Sequence, residues 1–284
     1  MNIAWVLYLV VYVAAFTVYG QMLKKALNDS QNNTAASILI YGLSGAACLV
    51  FAPFFGWKFT ADAGLLALFF ANCALFAVNV KLELVARKHL PVSEFTIIHR
   101  FYLVFLVMIG ILFFRDNLPV MKAIGGGLII IASALSIYDG RRFKFNRYVF
   151  AALGSALLLA IGLSISVSVT KHFNIAFYEA ISYFVPAVLL VVSLGRSSLE
   201  KVKQEFSGKE KYYLIASFAI AASTISVIRA LQLGSVAVTA PLLSLPVFVT
   251  VIAAALLLGE RKMLGLKVVA TGLILVGVYF MNLG

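Results

Sequence analysis

Arg100 and His99 lie inside the apolar run Pro91–Phe114, which is long enough to cross a bilayer. Placing an Arg at mid-depth in such a helix costs about 2.5–3.5 kcal/mol on insertion scales, so the side chain must face a partner, a cavity or a substrate. Its planar fork can hold a carboxylate or a phosphate through two parallel hydrogen bonds. Ser93, Thr96 and Arg100 share one face of that run. The preceding span sets Asn72, Phe76, Asn79 and Glu83 on a single face, because steps of four, seven and eleven return a helix to within about 40°. Lys81 points the opposite way, near enough to the helix end for its stem to snorkel. Glu83 stands eight residues before Pro91 and Arg100 nine residues after it, so in a tight antiparallel hairpin they reach similar depth. There an ion pair would neutralise both; in the sharper reading Arg100 meets an anionic substrate. Glu83 and His99 are the candidate proton carriers, although a lone mid-span histidine is more often a hydrogen-bonded packing residue.

The elements that position these groups follow from composition. The chain has 284 residues, 63% hydrophobic and 12% charged, with a mean hydropathy of +1.02, which excludes a water-soluble globular class. Apolar windows near the ~20 residues needed to cross a bilayer recur with short polar breaks. The sequence predicts an all-α membrane protein of ten transmembrane helices, over 3–24, 35–56, 62–86, 91–114, 119–138, 148–170, 174–194, 212–232, 236–258 and 262–282. Barrel strands would alternate polar and apolar residues, and these stretches do not. The first span lacks a basic leader beyond Met1 and a small-residue cleavage site, so it reads as a retained helix.

Of the twenty-three Lys and Arg, fifteen fall in loops after odd-numbered spans: Lys24, Lys25, Arg87, Lys88, Arg141, Arg142, Lys144, Arg147, Arg196, Lys201, Lys203, Lys209, Lys211, Arg261 and Lys262. Three (Lys58, Arg115 and Lys171) lie on the opposite side, and five sit within spans or at their starts. The positive-inside rule then puts the fifteen in the cytoplasm and both termini outside. Basic residues at helix ends favour anionic headgroups and exclude a nucleic-acid partner. Cys48 and Cys73 fall inside spans and act as small apolar residues. The eleven acids are scattered, and no His and Cys cluster has ligand spacing, so neither a metal nor another cofactor is expected and an intramembrane enzyme is disfavoured.

The second half repeats the first at offsets of 144 to 146. LKKALN at 23–28 recurs as VTKHFN at 169–174, and Gly127-Leu128-Ile129 recurs as Gly272-Leu273-Ile274. Laying Ala86–Asp116 over Ala230–Glu260 pairs Val92 with Val236 and Asp116 with Glu260, and sets Arg100 opposite Ser244. Five spans per repeat, an odd number, make the repeats inverted, with 1–142 as the first and 143–284 as the second. In span nine, Thr239, Pro241, Ser244 and Pro246 break the helix and free carbonyls that could ligate a substrate or ion. Ser155, Gly162, Ser166 and Thr170 share a face of span six, whereas Glu179 and Arg229 lie near helix ends and read as snorkelling. Gly125-Gly126-Gly127 mark span five as a packing face, or a homodimer contact through the helices at 119–138 and 262–282. Ser197 and Glu200 match a capping box, and Leu199, Val202 and Phe206 form an apolar edge among lysines, which predicts a short surface helix between Gly195 and Lys211.

A five-helix inverted repeat whose polar fourth span is followed by an acidic and basic turn (Arg115-Asp116 and Gly259-Glu260-Arg261) resembles the EamA family of the drug/metabolite transporter superfamily. The likeness covers essentially the whole chain and is strongest over 230–282; in the first half His99-Arg100 replaces the family's serine and proline. It implies a secondary transporter with a central cavity lined by spans one to four and six to nine. On those positions fall Asn79, Glu83, Thr96, Arg100, Thr239 and Ser244 as the substrate-binding set. Implied with it are export of a small polar metabolite, such as an amino acid or organic anion, by alternating access, and a place in the bacterial inner membrane. Flipping of a polyprenyl-phosphate sugar is the alternative. Family members commonly keep both termini in the cytoplasm, opposite to the charge count.

Overall fold

The computed structural model describes residues 3–27, 30, 32–60, 62–90, 95, 98–137, 146–195, 198–246, 249 and 264–283, and among these it is helical with no strand. Helix α1 covers Ile3–Leu27, α2 Asn33–Phe51 with a 3-10 turn at Ala52–Phe54, α3 Ala63–His89, α4 Phe101–Leu112 and α5 Val120–Ile137. There follow α6 (Arg147–Val169), α7 (Ile175–Leu194), α8 (Ser198–Phe206), α9 (Glu210–Leu233), α10 (Val236–Leu242) and α11 (Leu264–Leu283). Six of them, α1, α2 with its 3-10 turn, α3, α6, α7 and α9, are long and apolar enough to cross a membrane. In lipid only such a helix satisfies its own backbone groups. Spans five and ten coincide with α5 and α11. Spans four and nine are described in part, because 91–94, 96–97, 247–248 and 250–263 lie outside the described residues, as do Ser197 and most of the Gly140–Arg147 connector.

Short polar side chains set where these helices begin. Asn32 Oδ1 accepts from Thr34 N and Ala35 N at the start of α2, at 3.1 and 3.0 Å, and Asp62 Oδ1 accepts from Leu65 N at 2.8 Å at the start of α3. Asn146 caps α6 and Asn174 caps α7 in the same way. Each cap supplies an acceptor to amides that have no intrahelical partner. Asn174 does more: its Nδ2 donates to Ala52 O at 2.9 Å and Phe55 O at 2.7 Å, which fixes the start of α7 to the end of α2.

The chain divides into two compact units. Unit 1 gathers Met1–Leu9, Val78–Ser164 and Ala230–Gly284, and unit 2 gathers Val10–Ala77 and Ile165–Arg229. Each draws on both sequence halves, with boundaries inside α1, α3, α6 and α9.

In unit 1, α5 packs along α11, and α10 packs against α4 and α5. Glycines bring these backbones close. A Cβ on Gly277 of α11 would lie 2.7 Å from the Gly125 carbonyl oxygen of α5, and a Cβ on Gly110 of α4 would lie 2.7 Å from Ala237 N of α10. Gly126 faces Pro241 in the same fashion, while Gly127 has no atom of another residue near it. Two of the three glycines in span five therefore serve packing inside the chain. Ala132, Ala270 and Ile274 extend the α5–α11 contact as a buried cluster.

In unit 2, α2 runs against α7, with Gly45 under the Phe184 ring. Helix α8 packs on both. Val202 and Phe206 turn inward onto a core of Ala26, Ala36, Leu39, Ile40, Tyr213 and Ala216, whereas Leu199 is 77% exposed, so the apolar edge read from the sequence is split. Glu205 is buried at this junction, where its Oε1 accepts from Tyr213 Oη at 2.8 Å and Lys209 Nζ at 3.1 Å. Burial pushes that carboxyl up, but the Tyr213 and Lys209 hydrogen bonds outweigh it and hold it below its ordinary range.

Two outcomes are expected. Gly277→Ala and Gly110→Ala force backbones apart and cost about 1–3 kcal/mol each, whereas Gly127→Ala costs nothing; unfolding titrations in mixed micelles measure this, and equal midpoints for all three variants would refute it. Because the Glu205 pKa is depressed by folding, the stability it lends is complete above the ordinary carboxylate range and is lost as pH falls through the folded value. Protection of the amides over 198–216, measured relative to their intrinsic exchange rate at each pH, should fall on acidification in wild type and show no such acid step in Glu205→Gln.

Candidate functional site

Unit 1 spans the positions of the expected substrate-binding set, of which Asn79, Thr239 and Ser244 are engaged in packing. Asn79 of α3 is 4% exposed, and its Oδ1 accepts from Ser155 Oγ of α6 at 2.7 Å. Thr239 of α10 is fully buried, with its Oγ1 accepting from Trp5 Nε1 at 3.1 Å. Gly234 makes the room for that indole, since a Cβ there would sit 2.5 Å from Trp5 Nε1. Ser244 is fully buried as well, and its Oγ donates to Pro241 O at 2.7 Å while its amide donates to the same oxygen at 3.1 Å. The Pro241 carbonyl at the span-nine break is thus taken up by Ser244. Asp116 Oδ2 adds a bond from Ala237 N at 2.8 Å, so the acidic turn after α4 caps the start of α10.

Glu83 and Arg100 are both half-buried, and no ion pair joins them. Arg100 keeps helical backbone angles, φ −63° and ψ −15°, immediately before α4 begins at Phe101. His99 stacks on Phe95 with ring centroids 5.1 Å apart and lies 6.0 Å from the Tyr102 ring. Thr96 and Ser93 lie outside the described residues. Thus Asn79 meets Ser155 and Thr239 meets Trp5.

Unit 2 contains a polar cluster that the sequence showed only in pieces. Asn72 of α3 donates from Nδ2 to Ser166 Oγ of α6 at 3.1 Å and to Tyr178 Oη of α7, and Ser166 Oγ donates to Tyr178 Oη at 3.2 Å. Cys73 Sγ lies 3.9 Å from Ser182 Oγ, and Tyr183 Oη lies 2.6 Å from Thr224 Oγ1 of α9. Among these side chains sits Glu179, 4% exposed, with Oε1 lacking any hydrogen-bond partner. It does not snorkel. The Arg229 guanidinium lies 5.6 Å from the Phe55 ring centroid, at the turn that ends α2. The signal for Glu179 was there in its spacing: Ser182, Tyr183 and Pro186 follow it at three, four and seven residues, a polar face on an apolar span. Among the described residues no three His, Cys, Asp or Glu side chains come together as a metal site.

No family model and no curated protein matches the chain. One solved structure, titled only as the crystal structure of a protein, aligns over 100% of this chain and 98% of its own, with a TM-score of 0.67 at 12% identity. At that identity the likeness concerns the fold alone.

Tyr178→Phe removes the hydroxyl that Asn72 and Ser166 share and leaves buried donors unmatched. It should lower stability by about 1–3 kcal/mol in a micellar unfolding titration; no loss would mean that the cluster contributes nothing to the fold.

Proposed function

We propose that the chain is a secondary transporter of the drug/metabolite type, built from two inverted five-helix repeats, that exports a small polar metabolite across the bacterial inner membrane by alternating access. The observation that carries this reading is the pairing of like-numbered spans. Span two packs on span seven (α2 on α7), four on nine (α4 on α10) and five on ten (α5 on α11). Repeats related by a pseudo-two-fold axis in the membrane plane bring such counterparts together across that axis. A fold assembled from unrelated helices has no reason to pair three of them with their fifth successors.

Arg100 supplies the chemistry. Among the described residues no carboxylate meets its guanidinium, so the fork remains available to the carboxylate or phosphate of a substrate. The buried, internally bonded Asn79, Thr239 and Ser244 then act as supports of the helices around it. Amino acids and organic anions are the substrate class that one Arg in an apolar setting would anchor.

Thermal unfolding of the purified protein against amino acids, phosphorylated sugars, nucleotides, quaternary amines and polyprenyl phosphates tests this, with Arg100→Ala alongside wild type. A soluble anion should stabilise wild type, by about 2.7 kcal/mol at a hundredfold excess over Kd, and leave Arg100→Ala unmoved. The same anion should enter proteoliposomes with wild type and not with the variant. Equal shifts in both proteins would remove Arg100 from the site, and stabilisation by polyprenyl phosphates alone would replace export by lipid flipping.

A further inference from the structure

We propose that Glu179 is a proton-binding site within unit 2 and that, on the transport reading above, it makes H⁺ the coupling ion. Glu179 occupies the second turn of α7 and is 4% exposed, and its Oε1 has no hydrogen-bond partner. The titratable groups that act on or feel it are the Cys48 thiol from α2, the Cys73 thiol from α3, and Tyr178 and Tyr183 from its own helix. Each hydroxyl is committed elsewhere: Tyr178 to Asn72 and Ser166, and Tyr183 to Thr224. The Cys73 thiol lies beside Ser182. Helices α6 and α9 present Ser166 and Thr224, which do not titrate. Among the described residues no Lys, Arg or His acts on Glu179, and Lys171 and His172, just before α7, are exposed.

A buried carboxylate without cation or donor is the most costly state a side chain can take in an apolar bundle, whereas the same carboxyl carrying a proton is neutral. Intramembrane carboxyls with no counter-ion are the groups that relay protons in pumps and transporters. A metal cation does not fit as well. Sodium, calcium or magnesium needs several oxygen ligands, and the neighbours here are thiols and phenols already bonded to other partners. The chemistry is a single O–H bond on the carboxyl, formed with a proton from water on one side and broken when that proton leaves to the other.

Infrared difference spectroscopy on the full chain in nanodiscs, titrated over pH in H₂O and D₂O, reads this bond directly. Wild type should show the C=O stretch of a protonated carboxylic acid, shifted in D₂O and titrating with pH. Glu179→Gln, a neutral isostere that should keep the wild-type unfolding temperature, should lose that band; Glu179→Asp should keep one. A band that survives in Glu179→Gln, is absent from wild type at every pH, or responds to Na⁺ instead of pH overturns the proposal. In proteoliposomes given a labelled amino-acid mixture, a pH gradient should drive accumulation by wild type, while Glu179→Gln retains exchange without accumulation. Accumulation persisting in that variant overturns the coupling. No movement by wild type removes the transport reading, while the proton site stands on its band.

Discussion

Close approach of helix backbones at glycines is the constraint on which the rest of this structure depends. Lipid is as apolar as leucine, so helices in a bilayer gain little from hiding greasy surface from it and associate through contact and hydrogen bonding. Contact at the α5–α11 crossing depends on Gly277 lying against the Gly125 carbonyl, and at the α4–α10 crossing on Gly110 lying against Ala237. At the α2–α7 crossing Gly45 receives the face of Phe184. At the first two crossings one methyl group would meet backbone and separate two helices, whereas at Gly45 it would meet a side-chain ring. The polar bonds between helices fall on other pairs, α3 with α6 and α7 and α7 with α9, and join those where no such glycine contact does.

The start of α10 shows how much a short helix can need. It has seven residues and contains Pro241, so it forms few bonds of its own. Ser235 caps it from within the chain, Asp116 adds an acceptor for Ala237 N, and Trp5 donates to Thr239 across the space that Gly234 leaves open. Arg115, the residue before Asp116, takes a positive φ of 54°, a conformation that L side chains rarely adopt. That local cost turns the chain so that Asp116 N bonds back to Gly110 O, and the side chain of the same residue reaches α10. The acidic turn read from the sequence as a family mark thus has a structural use as a cap.

Much of the helical plan was legible because a 3.6-residue period leaves a face. Asn72 and Asn79 were placed on one side of α3 and Lys81 on the other; the first two are buried and bonded, and Lys81 is exposed. What the sequence misread was position along and around an axis. The Glu83–Arg100 pair was argued from equal depth in a hairpin, and among the described residues no ion pair joins the two side chains, since depth alone does not set the direction each takes around its helix. Glu179 was assigned to a helix end from its rank in the span, but rank says nothing about which neighbours lie to the side. The α2 and α3 residues around it are more than a hundred positions away in the chain.

The buried polar groups divide by chemistry in a way that bears on movement. In unit 1 the hydroxyls and amides of Asn79, Ser155, Thr239 and Ser244 are matched with one another, with Trp5 or with backbone, and a matched neutral network resists rearrangement because each broken bond strands a buried group. Glu179 in unit 2 differs, since its surroundings change in energy with the gain or loss of one proton and no neighbouring bond has to break. On the transport reading, this is why a coupling ion acts at a lone carboxyl and not at the better-bonded residues that a search for polar faces finds first.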